Sequence, residues 1–242
     1  MKAAAKKPVW LVIARRELEA YFTSPIAYIV CALFLIFSGF LFFSTFFLNK
    51  RAELRYFFEL LPTLFSFFIP ALTMRIFSEE KRSGTMETLI TLPVKTSSIV
   101  AGKYAASVVS SIALLVPTLF YVIMCYAFGT PDKGPIIGGY IGAVLLAASY
   151  TAIGVFASSI TKNQIISFFV SFAICFALGM LSDFAVLVSS AFVPFVTFIS
   201  AKSHFASISR GIVDLRDILY FVSVIVIFVA LTVQKIQDTK RG

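Results

Sequence analysis

The sequence predicts an all-α, polytopic membrane fold, and three observations lead to it. Of the 242 residues, 59% are hydrophobic and only 14% are charged, against about a quarter charged in a typical soluble domain, so water is not the solvent for most of the surface. Charge-free runs recur at the length that a hydrocarbon core about 30 Å thick requires of a helix, about 20 residues. No segment alternates polar and apolar residues as the strands of a barrel would, and in lipid helices satisfy their own backbone groups.

Taken in order, the runs give six spans. Pro8 to Phe22 precedes them and reads as an amphipathic helix lying in the membrane interface, with Trp10, Ile13, Ala14, Leu18 and Tyr21 on one side and Arg15, Arg16 and Glu19 opposite. Glu17 interrupts the apolar stripe. It is read as a carboxylate at the stripe's edge reaching headgroup water, the alternative being a partner cation on another subunit or near a helix end. Ser24-Pro25 then turns the chain into the bilayer, because the residue before proline disfavours helix whereas proline suits a first helical turn.

The first span, Pro25 to Asn49, is too long for a signal-peptide core and is followed by no small-residue cleavage site, so it is expected to be retained. Tyr56 to Met74 carries only Glu59, near its start, and Tyr104 to Pro131, Gly134 to Thr161 and Asn163 to Ser182 carry no charge. Ile218 to Gln234 is a shorter last span. Cys31, Cys125 and Cys175 each fall inside a span without metal-ligand spacing and read as small apolar filler. Gly138, Gly139, Gly142, Ala143, Ala147 and Gly154 suit a close helix interface, within one chain or between two.

A net charge of +9 raises the question of nucleic acid, but membrane orientation accounts for it. With the N-terminus inside, 14 of the 21 Lys and Arg residues are cytoplasmic, as the positive-inside rule requires, and six spans place both termini in the cytoplasm. Phe184 to Ala201 is also charge-free, and a seventh span there leaves the charge count unchanged. Its length, and the proline in Val193-Pro194 that would break a helix in the middle, favour a segment that dips into the outer face and returns, within a region spanning 184–217. Beyond it, Arg210, Asp214, Arg216 and Asp217 fall at helical spacing and read as a salt-bridged start to the last span, capping the re-entrant segment.

The cytoplasmic loop 78–94 is patterned rather than a plain connector. Gly84 followed by Thr85 as a capping residue, Glu87 in the first turn, Met86, Leu89 and Ile90 on one face, and Pro93 at the end describe a short helix. Two turns are unstable alone, so its apolar face must dock, on its own membrane domain or in a groove of a soluble partner.

The run Glu80-Lys81-Arg82-Ser83-Gly84-Thr85-Met86-Glu87, followed by apolar residues and Thr91-Leu92-Pro93, resembles the coupling-helix region of ABC-2 transporter permeases. The likeness extends over the chain: Arg16-Glu17-Leu18 in the interfacial helix, Tyr21 to Pro25 at the start of the first span, six spans and a re-entrant region. His204-Phe205 and the run Arg210 to Asp217 are similar to the branch of gliding-motility and copper-site maturation permeases.

The resemblance implies a single transmembrane domain over 1–242, working with a second permease chain and cytoplasmic ATPases in a bacterial inner membrane. It places ATP and magnesium in the ATPase and no cofactor in this chain. Glu79, Glu80, Gly84, Thr85, Met86, Glu87 and Leu89 become the expected ATPase contacts, with Met86 and Ile90 turned more toward anchoring the helix. Trp10, Arg15, Arg16 and Glu17 form the interfacial helix, and Pro194, His204, Arg210 and Asp214 the extracytoplasmic cap. Consistently, no phosphate-binding glycine loop with its lysine occurs.

Two other classes compete. A membrane-embedded enzyme would start from His204, Asp214 and Asp217, but the chain has one histidine and no convergent ligand set. A secondary transporter or channel would need ionisable groups near the bilayer midplane, and the centres of these spans have none.

Overall fold

The structure, a computed structural model, describes residues 8–49, 53–87, 93–187, 192–212 and 214–241. Those residues form helices and no strands. In chain order they are α1 (Val9–Thr23), α2 (Pro25–Asn49), α3 (Arg55–Thr73), α4 (Ser78–Ser83), α5 (Thr96–Ala113), α6 (Leu119–Phe128), α7 (Lys133–Ile160), α8 (Gln164–Met180), a 3-10 turn (Asp183–Leu187), α9 (Val193–Ile199), α10 (Ala201–Ser209) and α11 (Leu215–Arg241).

Among the described residues, four helical stretches are long and apolar enough to cross a membrane: Pro25–Leu48, Arg55–Ser83, Lys133–Ile160 and Leu215–Lys240. α8 is apolar but has only 17 residues. The span expected over Tyr104 to Pro131 is broken, because Pro117 has no amide hydrogen and its ring crowds the carbonyl four residues back. The backbone passes it through i→i−3 bonds from Leu114 to Ser111, Leu115 to Ile112 and Thr118 to Leu115. α5 and α6 thus continue one another through a tight turn rather than as one α-helix.

α7 is the staff on which the rest is built. Its apolar window is 78% buried, whereas those of α2 and α11 are 22% and 17% buried, so these two helices face outward. In lipid, apolar surface gains little by leaving its surroundings, and close packing decides which helices associate. α7 meets this demand with small residues: Gly138, Gly142, Ala143, Ala147 and Gly154 are all buried. The small-residue stripe therefore packs within this chain. Phe34, Phe57, Phe58, Phe65, Phe68 and Tyr121 fill the space between α2, α3 and α6, with Phe34 edge-on to Phe68 at 5.4 Å and Phe42 stacked on Tyr121 at 4.7 Å. A second apolar cluster closes the other end, from Tyr21, Ile76, Phe77, Met86, Ile99, Val100, Val155 and Ile236.

The segment before the last helix differs from expectation in one respect. Pro194 does not break a helix; it lies in the first turn of α9, where its missing amide hydrogen costs nothing and φ is preset. The bend comes six residues later, at Ser200, whose extended backbone (φ −72°, ψ 119°) separates α9 from α10. The two short helices therefore occupy 193–199 and 201–209, C-terminal to where the charge-free run places them. α11 is also longer than the expected last span, since its polar final turns remain helical as far as Arg241.

Candidate functional site: a buried lysine beneath the first helix

α1 lies along α5, and the contact depends on Gly102. A Cβ at that position would stand 2.6 Å from the Trp10 carbonyl oxygen and 2.9 Å from the Ile13 Cβ. With no side chain there, the face of α1 made by Ile13, Ala14, Glu17, Leu18 and Tyr21 settles onto α5. Trp10, expected on that face, is 42% exposed. Tyr21 anchors the other end of α1 by donating to the Leu72 carbonyl at 2.9 Å, and Arg75 of the α3–α4 turn lies over the Tyr21 ring and donates to Ser24 Oγ at 2.7 Å.

Next to Gly102, Lys103 points beneath α1 and is 1% exposed. Its Nζ donates to Glu17 Oε1 at 3.0 Å, to Glu80 Oε1 at 2.8 Å and to the Ile76 carbonyl at 3.2 Å, so all three ammonium hydrogens have acceptors. The Phe77 ring lies below it at 5.2 Å. Arg16 closes the cluster from the solvent side, at 3.0 Å from Glu17 and 3.6 Å from Glu80. One buried cation thus joins three elements: α1, α5 and α4 at the start of the loop 78–94. Burial pushes the Glu17 carboxyl up, but the Lys103 ammonium and the Arg16 hydrogen bond more than offset this and hold it below its ordinary range.

Glu17 therefore does not reach headgroup water; its cation is on its own chain, because Gly102 brings α1 close enough to cover Lys103. The sequence reading missed Lys103 as a functional residue. Its signal was present: it is the only charged residue between Lys95 and Asp132, and Glu17 is the carboxylate that breaks an otherwise apolar stripe. Beside the cluster lies a cavity of about 240 Å³ lined by Glu17, Tyr21, Arg75, Ile76, Glu79 and Lys103, among others.

The loop residues expected to meet a partner separate into two groups. Glu80 and Met86 turn inward, Glu80 to Lys103 and Met86, 4% exposed, into the apolar cluster under α1. Glu79, Gly84, Thr85 and Glu87 are exposed. Gly84 ends α4 in the left-handed conformation at φ 75°, which glycine alone adopts at no steric cost. Residues 85–87 are helical again, so Thr85 is the first helical residue rather than the cap, and its hydroxyl lies 2.9 Å from Ser83 Oγ. Leu89 and Ile90 lie outside the described residues. Lys81 donates to the Ser159 carbonyl at the end of α7. Burial, followed by the charges of Lys235 and Lys162, pulls its ammonium below the ordinary lysine range. Among the described residues, Arg15 pairs only with Glu19, one turn on, at 2.9 Å.

At the opposite end, the expected bridges between arginines and aspartates do not form among the described residues. Gly211, at φ 87°, ends α10 and turns the chain, so helical spacing does not run from Arg210 into α11. Arg210 Nε donates to the Ala206 carbonyl, and Asp214 accepts from the backbone of Arg216. Asp217 instead meets His204, Oδ1 to Nδ1, at 2.7 Å. The other ring nitrogen faces the Phe198 carbonyl at 2.9 Å, and the imidazole stacks on Tyr220 at 4.2 Å. Lys202 pairs with Asp183 at 2.7 Å. Pro194 is exposed on α9 and takes no part in these contacts.

Both clusters hold helices to one another through polar side chains, Glu17 and Glu80 to Lys103 and His204 to Asp217. No curated protein matches the chain. The sequence profile of the family described as ABC-2 family transporter protein matches residues 51–233, well over half of the chain and including the loop, α7 and the histidine–aspartate pair. This multi-pass membrane protein, a bundle of apolar helices around α7, belongs to the ABC-2 family of transporters.

Proposed function

We propose that the chain is the permease subunit of an ATP-driven transporter, and that the loop 78–94 receives the motion of a separate cytoplasmic ATPase. Supporting this reading, Lys103 ties Glu80, at the start of the loop, to Glu17 of the interfacial helix and to the span that Lys103 itself occupies. A push on the exposed side of the loop, at Glu79, Thr85 and Glu87, then reaches α1 and α5 together. The glycine joint at Gly84 lets the following turn move relative to α4.

In this reading six spans place both termini in the cytoplasm of a bacterial inner membrane. α8 and the broken α5–α6 supply the two spans that fall short of an uninterrupted length, and α9–α10 dip into the outer face. ATP and magnesium reside in the ATPase. A second permease chain, identical or different, completes the complex, which exports a cargo or does mechanical work. The likeness to gliding-motility and copper-maturation permeases rests on His204-Phe205 and the run to Asp217.

Co-purification tests the reading. The chain is expected to retain an ATPase, and Glu87→Arg and Gly84→Pro to abolish transport-linked ATPase stimulation while the protein still inserts. Gly84→Pro acts by geometry, since proline cannot adopt φ 75°. Wild-type stimulation in both variants would remove the loop from the mechanism. Arg210→Cys is expected to be labelled from outside intact cells.

A further inference from the structure

α8 and α11 both pack on α7, and between them an apolar groove of about 590 Å³ remains. This is within the roughly 300–1,000 Å³ typical of sites for small organic molecules. Its α11 wall is a continuous stripe: Arg216, Leu219, Tyr220, Ser223, Val224, Ile227 and Phe228 recur at three- and four-residue spacing along one face. Ile174 and Leu178, one turn apart, form the α8 wall, and Phe198 and Ile199 of α9 roof one end.

The roof is fixed to both walls. Tyr220 donates to the Ile199 carbonyl at 2.6 Å, Ser200 donates to the Leu178 carbonyl at 3.4 Å, and His204 bridges Phe198 to Asp217. The groove is thus built into the fold rather than left by a loose helix.

The single charge on its lining is Arg216, in the first turn of α11. Among the described residues no carboxylate lies within ion-pair distance of it. A cation in the first turn also opposes the helix dipole, so helix stability does not explain it. Phe195 and Phe198 of α9, with Phe192 just before it, are 61–67% exposed beside it, an apolar row suited to contact with acyl chains.

We propose that this groove binds one phospholipid, with an acyl chain lying between α8 and α11 and the headgroup phosphate on the Arg216 guanidinium. A groove open to acyl chains excludes polar occupants from its length, and a guanidinium offers forked donors to a phosphate. The proposal rests on the membrane location of α8 and α11 and not on coupling to an ATPase, so either can fail without the other.

Native mass spectrometry of the purified chain, with any partners it retains, tests it in mild detergent. Phosphatidylglycerol is the probe, with diacylglycerol and glycerol phosphate as controls for the acyl chain and the phosphate alone. One phosphatidylglycerol per chain is expected to survive delipidation, with neither control retained. Val224→Trp, which fills the groove, is expected to abolish the adduct, and Arg216→Gln to weaken it about tenfold. Leu219→Trp replaces Val224→Trp if that variant does not fold. Equal adducts in wild type and all folded variants would overturn the proposal. So would a groove-filling variant that separates two copies of the chain without changing bound lipid, which would make the groove a protein interface.

Discussion

The two ends of the molecule solve the same problem with different chemistry. At each, a short helix lying across the bundle must be held to a long one, and at each a glycine permits the approach: Gly102 beneath α1, and Gly138, which faces the Ile208 carbonyl and Gly211 Cα at the end of α10. A buried contact between polar side chains then ties the short helix to a long one, α1 to α5 through Glu17 and Lys103, and α10 to α11 through His204 and Asp217. At the His204 end the contact is one-to-one, with both ring nitrogens engaged and Tyr220 stacked on the imidazole. At the Lys103 end one cation is shared between carboxylates of two elements and a cavity adjoins it, whereas at each end one carboxylate oxygen, Glu80 Oε2 and Asp217 Oδ2, has no partner among the described residues. A one-to-one pair fixes one arrangement; a shared cation with room beside it can hold one carboxylate while the other shifts.

Lys103→Met should give the largest effect. Breaking a buried ion pair by removing one partner costs ~3–5 kcal/mol, because the remaining charges stay buried without compensation. Two carboxylates are left here, so α1 and α4 should both release, seen as a lower unfolding temperature and faster proteolysis at 8–24. Adding Glu17→Gln and Glu80→Gln to Lys103→Met is expected to recover much of the loss. No recovery would mean that the cluster stabilises through packing of the lysine stem and not through its charge.

Asp217→Asn comes next, at about 2 kcal/mol for a buried, charge-assisted hydrogen bond. It should loosen α9 and α10 while leaving α1 in place, so a cysteine on α10 becomes easier to label and proteolysis near the N-terminus does not change. Labelling that increases at both ends would mean that the two clusters are coupled through α7 and that the contrast between them is false.

The paired glycines sharpen the same contrast. Gly102→Ala places a methyl against backbone and side chain of α1, and Gly138→Ala places one against the backbone of α10. Overpacking of this kind costs ~1–3 kcal/mol. Gly102→Ala is expected to lower any ATPase stimulation more than it lowers stability, because α1 is displaced from Lys103. Gly138→Ala is expected to act on stability alone.

Much of the fold was legible because lipid imposes a simple rule of length and charge. Pro25–Asn49, Arg55–Thr73, Lys133–Ile160 and Gln164–Met180 fall within a residue or two of the expected spans. The break at Pro117 was missed because proline is tolerated in membrane helices wherever neighbours satisfy the freed backbone, and composition does not show the neighbours. Site residues were harder to read, since pairing is a property of the packed bundle. Glu17, Glu80, His204 and Asp217 were all named from the sequence, Glu17 because it interrupts an apolar stripe; that Glu17 meets Lys103, 86 residues on, and His204 meets Asp217 depends on α1 lying along α5 and α10 meeting α11. The helical spacing of Arg210 to Asp217 misled because one glycine with positive φ cancels it.

The smallest expected effect concerns pH, and it isolates the charge of Glu17. Its carboxyl is held below its ordinary range by Lys103 and Arg16 against the penalty of burial. A carboxylate with a depressed folded value contributes stability that is fully present above the unfolded value and is lost as pH falls through the folded one. The difference in unfolding temperature between wild type and Glu17→Gln should therefore stay constant from pH 7 to about pH 5, the upper edge of ordinary carboxylate titration, and shrink only at lower pH. Other carboxylates titrate in both proteins and largely cancel in the difference. A difference that already narrows between pH 7 and pH 6 would show that the ammonium does not hold Glu17 ionised, and that the shared cation serves Glu80 alone.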